Sequence, residues 1–220
     1  MSKQICVLQT NYQKSNKDFD DEFARLCPGV RIAYVADSTL LADVRASGGP
    51  TNEVIARMGL YAMAAEKMGA DVILNSCSSV GEVADIYSKL VGIPVVKIDQ
   101  AMAEEAVSLG ENVVLVATVE STLGPSRRLI EQEGRRQGKT MNVTEYLVEG
   151  AYNILQSGDR ERHNRMVLDA IGSHDGKCDA IVMAQVSMRA LLPQLGDTKT
   201  PVLCSFYSGL KRAAETVLAL

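Results

Sequence analysis

The chain is 220 residues long, 46% hydrophobic, 23% charged and 5% aromatic, with a net charge of −4 and a pI near 5.3. An apolar share of that size belongs to a folded core and excludes a disordered chain, while the acidic balance argues against a nucleic-acid or anionic-membrane surface, which needs a positive patch. At about 150 residues per domain, the length admits one large domain or two smaller lobes.

The first apolar run, Ile5-Cys6-Val7-Leu8, follows Met1-Ser2-Lys3-Gln4 directly, without the pattern of a signal peptide. No run approaches the roughly 18 apolar residues of a transmembrane helix, so a cytoplasmic protein is expected. Further strand-like runs follow at residues 30–35, 72–74, 94–96, 113–116, 180–183 and 201–203, and the stretches between them read as helices. After Thr51, the residues Val54, Ile55, Met58, Ala62 and Ala65 mark one apolar face at helical spacing. Apolar strands separated by helices predict parallel sheet covered on both faces, an α/β class.

The chain also repeats itself weakly at an offset of 108: residues 5–10 lie over 113–118, and residues 71–79 over 179–187. This pattern predicts two doubly wound parallel-sheet lobes related by a pseudo-twofold axis, the first made of 1–100 plus 205–220 and the second of 101–204. Ligands of parallel sheets bind at the carboxyl ends of strands, so the site is expected there, between the lobes.

Cys6, Cys27, Cys77, Cys178 and Cys204 are odd in number and form no C-x-x-C pair, which suits reduced thiols in a reducing compartment. The two histidines, His163 and His174, sit in polar stretches that read as exposed, and no ligand cluster for a metal is visible. Arg160, Arg162 and Arg165, with His163, read as a solvated helix face. G-x-S-x-G, G-x-x-x-x-G-K-[ST] and G-x-G-x-x-G are all absent, so nucleotide chemistry is unsupported and no cofactor is expected.

Polar residues directly after core strands carry the chemistry. Asn75-Ser76-Cys77-Ser78-Ser79 follows the strand at 72–74, and residues 78–84 read as a helix opened by Cys77. Amides in the first turn of a helix lack partners and carry partial positive charge, which suits a carboxylate and biases a thiol toward thiolate. A helix terminus is worth only about 0.3–2 kcal/mol. Such a thiol therefore exchanges protons without being permanently ionised. A cysteine at a strand end is most often a small buried hydrophobe; five consecutive polar residues point instead to a lined site. The second segment, residues 118–126, offers Thr118, Ser121 and Thr122 to an anion ahead of Pro125 in a helix's first turn, where a plain cap would need only one hydroxyl. The third is Ala184-Gln185-Val186-Ser187, the repeat partner of the Cys77 segment; Gln185 hydrogen-bonds but cannot exchange a proton. Thr10, Asn11 and Asn75 are lesser candidates. Tyr12, Tyr34, Tyr146 and Tyr207 are scattered candidates for a side-chain pocket.

Three blocks resemble the aspartate/glutamate/hydantoin racemase superfamily: Asn75 to Ser79, Ala117 to Ser126, and Asp179 to Leu192, together with Pro201-Val202-Leu203. The resemblance implies two doubly wound lobes with the site between them, no metal or cofactor, a small carboxylate substrate and often a homodimer. It also implies that the last helix packs on the first lobe. Racemases of this kind use two cysteines on opposite faces of the substrate α-carbon, one abstracting and one returning a proton through an enediolate-like carbanion. Here Cys77 matches the first, but the second position is Gln185, a departure from the two-base pattern. A single thiol suffices for one-base isomerisation, for decarboxylation of a malonate-like acid, or for addition to an activated double bond as in maleate isomerases. The resemblance therefore implies catalysis by Cys77 with Gln185 orienting the substrate. Ser78, Ser79, Thr118, Ser121 and Thr122 would stabilise negative charge. A catalytically inactive carboxylate-binding protein is the alternative. A thiol hydrolase ranks last, because no histidine stands near Cys77.

Overall fold

The computed structural model describes residues 2–11 and 16–220, which form two compact units: Met1–Ile98 with Phe206–Leu220, and Asp99–Ser205. The first unit contains β1 (Gln4–Gln9), α1 (Lys17–Leu26), β2 (Arg31–Ala36), α2 (Leu40–Ser47), α3 (Asn52–Lys67), β3 (Val72–Asn75), α4 (Gly81–Tyr87) and β4 (Val95–Lys97). Its strands form one parallel sheet in the order β2-β1-β3-β4. The second unit contains α5 (Gln100–Leu109), β5 (Asn112–Ala117), α6 (Leu123–Arg136), β6 (Asn142–Leu147), α7 (Ala151–Gln156), α8 (Arg160–His174), β7 (Ala180–Met183) and β8 (Val202–Cys204). Its sheet runs β6-β5-β7-β8, also parallel, so the two units share one strand order. The closing helix, α9 (Ser205–Ala219), belongs to the first unit from Phe206 onward.

The central strands are apolar because helices cover both their faces. Every residue of β1 and β3 is buried, as is every residue of β7. In the second unit the covering layers are distinct: Leu115, Val143, Val182 and Ile130 pack on one face, and Val116, Ile181, Val167 and Ile171 on the other. Helix starts follow the capping rules. Thr51 accepts from the Val54 amide at 3.3 Å and Asp159 from the Arg162 amide at 3.0 Å. α9 is seated on its own unit by an edge-to-face contact of Phe206 with Phe19, with ring centroids 5.1 Å apart. Gly209 lets that helix approach closely, since a Cβ there would lie 2.2 Å from the Ile98 carbonyl oxygen.

Two expectations need correction. The strand β6 is absent from the apolar runs of the sequence because it is a sheet edge, with Val143 its one buried residue. His163 is buried, not exposed: it shares the inner face of α8 with Val167, Ala170 and Ile171, and its Nδ1 meets the Asn164 carboxamide oxygen at 3.0 Å. The neighbouring Arg160, Arg162 and Arg165 are exposed. Among the described residues, no helix is long and apolar enough to cross a membrane.

Candidate active site

In each sheet the two central strands end side by side, which places their following residues together. In the first unit Leu8 is opposite Asn75, so continuing the register sets Thr10 beside Cys77. In the second, Val116 is opposite Met183, which sets Thr118 beside Gln185. These are repeat-related pairs at the carboxyl ends of β1/β3 and β5/β7.

The backbone leaves three of these strands in the same way. Cys77 (φ −132°, ψ 118°), Val119 (φ −121°, ψ 116°) and Gln185 (φ −119°, ψ 137°) are extended, and each is followed by a 3-10 turn. The carbonyl of each accepts from the amide three residues on, from Val80 at 3.3 Å, Thr122 at 3.1 Å and Met188 at 3.0 Å. Turns of this kind at the carboxyl ends of strands are where backbone amides commonly meet anions. Cys77 opens a helical stretch as expected, but its first turn, Ser78–Val80, is 3-10 and the α-helical part, α4, starts at Gly81. Residues 75–81, 118–122 and 184–187 contain no Lys or Arg; the second stretch carries Glu120, and the Arg189 guanidinium donates to the Val186 carbonyl of the third at 3.1 Å.

Around Cys77, which is half-buried, the loop is held from within. Asn75 is fully buried; its Nδ2 donates to the Cys77 carbonyl at 3.0 Å, and its Oδ1 accepts from the Tyr87 hydroxyl at 3.2 Å. Burial pushes the Tyr87 phenol far up, so it stays a proton donor. Ser76 anchors to the Leu8 carbonyl through its hydroxyl at 2.8 Å. Ser78 and Ser79 are buried, and the Ser78 hydroxyl has no partner among the described residues. Thr10 is buried with its carbonyl bonded to the Leu41 amide, whereas Asn11 is exposed. Burial pushes the Cys6 thiol up to about 11 and also raises Cys27 and Cys178, which makes those three poor nucleophiles.

In the second unit the Thr118 amide donates to Gln185 Oε1 at 3.1 Å, and Gln185 Nε2 donates to Thr118 Oγ1 at 3.2 Å. Thr122 donates its hydroxyl to the Val119 carbonyl at 2.7 Å and so closes its own turn. Ser121 and Val186 are half-buried and Ser187 is exposed. Asn75 and Thr122, read from the sequence as ligand contacts, spend their side chains on loop structure. Tyr87 was not singled out in the sequence, because its tie to Asn75 appears only once α4 packs. Ser126, inside the second segment, is 2% exposed and its hydroxyl lacks a partner among the described residues.

Of the scattered tyrosines, Tyr12 lies outside the described residues. Tyr34 donates to Asp20 at 2.6 Å and Tyr207 stands edge-on to Phe206. Tyr146 lines an open depression of about 600 Å³ beside α8, with Glu149, Met166 and Asp169. Among the described residues, no three His, Cys, Asp or Glu side chains gather as a metal site requires.

The family model of Asp/Glu/Hydantoin racemase matches residues 7–213. The chain belongs to this family. Its fold is that of solved racemases. A glutamate racemase from Francisella tularensis subsp. tularensis SCHU S4, in complex with D-glutamate, superposes with a TM-score of 0.73 at 15% identity over 99% of this chain and 82% of that one. The Picrophilus torridus aspartate racemase gives 0.71 at 15% identity over 97% and 95%. The allantoin racemase from Klebsiella pneumoniae gives 0.66 at 18% identity over 99% and 88%. No curated protein matches the sequence. Membership in the racemase family supports an isomerase-like enzyme and makes the strand-end clusters the place to look for its chemistry.

Proposed function

We propose that this racemase-family chain is a cofactor-independent isomerase or lyase acting on a small carboxylate or related carbonyl compound, with Cys77 as its proton donor and acceptor. The observation that carries the reading is Cys77 itself. It is a half-buried thiol at the carboxyl end of β3, ahead of a 3-10 turn and next to Ser78, whose buried hydroxyl has no partner among the described residues. In the forward step the thiolate takes a proton from the carbon next to the carboxylate and becomes a thiol. The electron pair left on carbon spreads into the carboxylate as an enediolate. Donors from Ser78, Ser79, Thr118 and Ser121 stabilise the added charge, the electrostatic contribution that usually dominates such steps. Returning the proton, after exchange with solvent, regenerates the thiolate.

In this reading Thr10 and Asn11 complete the cluster around Cys77. The repeat partner of Cys77 is Gln185, whose carboxamide cannot act as an acid or a base at neutral pH. That favours protonation from one face, either in one-base exchange or after loss of carbon dioxide from a malonate-like acid. The same proposal takes the chain to work in the cytoplasm as a homodimer or higher homo-oligomer, without nucleic-acid or membrane partners. To test it, aspartate, glutamate, allantoin and substituted malonates are incubated in D2O with the wild type and with Cys77→Ala, and α-proton exchange is followed by NMR. The wild type should exchange or decarboxylate at least one of these with a single product configuration, and Cys77→Ala should lose 10²–10⁴-fold in rate, about the contribution of a positioned acid–base group. Full turnover by Cys77→Ala would end the proposal.

A further inference from the structure

We infer that the outer edge of β2 is a subunit interface, on which a second copy of this chain lays its own β2 antiparallel about a twofold axis through Tyr34. The proposed function takes the chain to be a homo-oligomer; the inference rests on that part of it and names the surface. The two sheets have four edges, β2 and β4 in the first unit and β6 and β8 in the second. β4 and β8 are three residues long, too short to template much pairing. β6 has six residues but carries Asn142, Thr144 and Glu145 in solvent, the polar side chains that keep an edge from pairing. β2 also has six, Arg31-Ile32-Ala33-Tyr34-Val35-Ala36, and beyond Arg31 it holds no charge, no proline and no polar side chain other than the Tyr34 phenol. An edge of that length and composition is a liability until a partner covers it.

The register defines which groups that edge offers. In a parallel pair, alternate residues turn their backbone groups toward the neighbouring strand. The Arg31 amide donates to the Lys3 carbonyl at 2.9 Å and the Asp37 amide to the Gln9 carbonyl at 3.0 Å, so residues 31, 33, 35 and 37 face β1. Ile32, Tyr34 and Ala36 therefore point their N–H and C=O groups out of the sheet, and no loop or turn hydrogen bond among the described residues involves them. An antiparallel partner meets such residues in pairs that exchange both bonds. With the axis at Tyr34, that residue faces its own counterpart and Ile32 faces the counterpart of Ala36, so every outward residue is matched. The same register sets Arg31 opposite the counterpart of Asp37. Arg31 is exposed and has no ion-pair partner among the described residues, whereas Asp37 and Asp43 share the one guanidinium of Arg57, which leaves a negative charge in excess there. Both ends of the strand thus carry half of a reciprocal ion pair, and this selects a second copy over an unrelated strand.

The test combines light scattering with introduced cysteines. The wild type should scatter as an even multiple of the 23.7 kDa chain. Tyr34→Cys, oxidised with copper phenanthroline, should give a disulfide-linked dimer on a non-reducing gel, because directly opposed residues set their Cα atoms about 5.5 Å apart. Ala36→Cys alone should not, since two such residues lie roughly 14 Å apart in this register. Ile32→Cys/Ala36→Cys should cross-link, and it keeps the Tyr34 ring in place. Wild type oxidised in parallel sets the background from the five native thiols. Arg31→Glu makes both end contacts repulsive and should weaken association about tenfold or more, with Cys77 alkylation unchanged. A wild type that is monomeric throughout the micromolar range would overturn the inference together with the oligomer of the proposed function. An oligomer that Arg31→Glu leaves intact, or that cross-links through neither Tyr34→Cys nor the double variant, would overturn the inference alone and leave the catalytic reading of Cys77 standing. Cross-linking of Ala36→Cys by itself would overturn the register and the inference with it.

Discussion

The carboxyl ends of β3 and β7 are built on one backbone plan and finished with different chemistry. At each, an extended residue is followed by a 3-10 turn closed by a hydrogen bond from the amide three residues on. At each, that residue stands beside a threonine on the neighbouring strand, Thr10 in one unit and Thr118 in the other. In the first unit the loop is fixed from inside by Asn75 and Tyr87. In the second the carboxamide of Gln185 is pinned on its threonine at both ends. Two units of one strand order can thus keep the same turn while carrying a thiol in one and a carboxamide held at both ends in the other. The turn geometry is common to the pair; of the two side chains, only the Cys77 thiol can ionise.

The comparison breaks most visibly if the second side regains a thiol. Gln185→Cys should turn a product of single configuration into a mixture of both, measured by chiral chromatography of a substrate found by proton exchange; a product still of one configuration would mean that the turn does not present that position to the substrate. Next in size are the ties that hold the first loop. Asn75→Ala strands the buried Tyr87 hydroxyl and one acceptor on the Cys77 carbonyl, and should cost about 1–3 kcal/mol in chemical denaturation. Thr122→Val, which removes one hydroxyl-to-carbonyl bond in the second unit, should cost about 0.5–1.5 kcal/mol. Gly209→Ala drives a Cβ into the Ile98 carbonyl and should lower stability by about 1–3 kcal/mol without changing Cys77 alkylation.

The smallest effect is a pH dependence. Burial raises Cys6 from 9.0 to about 11. The folded state therefore retains a proton that the unfolded chain loses, and the stability this contributes is complete below pH 9.0 and is lost as pH rises toward about 11. Cys6→Ala should flatten that part of the alkaline stability profile, seen by denaturation at successive pH values.

Much of this architecture was legible because it depends on local pattern. Ile5 to Leu8 and Val72 to Leu74 are continuous apolar runs, and only buried parallel strands with helices on both sides read that way. β6 was not legible: Asn142, Thr144 and Glu145 face solvent at a sheet edge, so burial imposes no pattern on them. The site was visible as polar residues following core strands, and the repeat aligned Cys77 with Gln185. Their partners were hidden, since the Thr118 to Gln185 lock spans 67 residues and needs the β5/β7 register. His163 did carry a signal, its helical spacing with Val167, Ala170 and Ile171, which its polar neighbours obscured.

The proposed chemistry requires Cys77 to be the reactive thiol of this chain. Timed alkylation of the native protein with iodoacetamide, quantified peptide by peptide, reads all five cysteines in one experiment. Cys77 should be modified at least tenfold faster than Cys6, Cys27 or Cys178, whose thiols burial holds protonated. If Cys77 reacts no faster than Cys6, the strand-end thiol is an interior group and the proposed chemistry is contradicted.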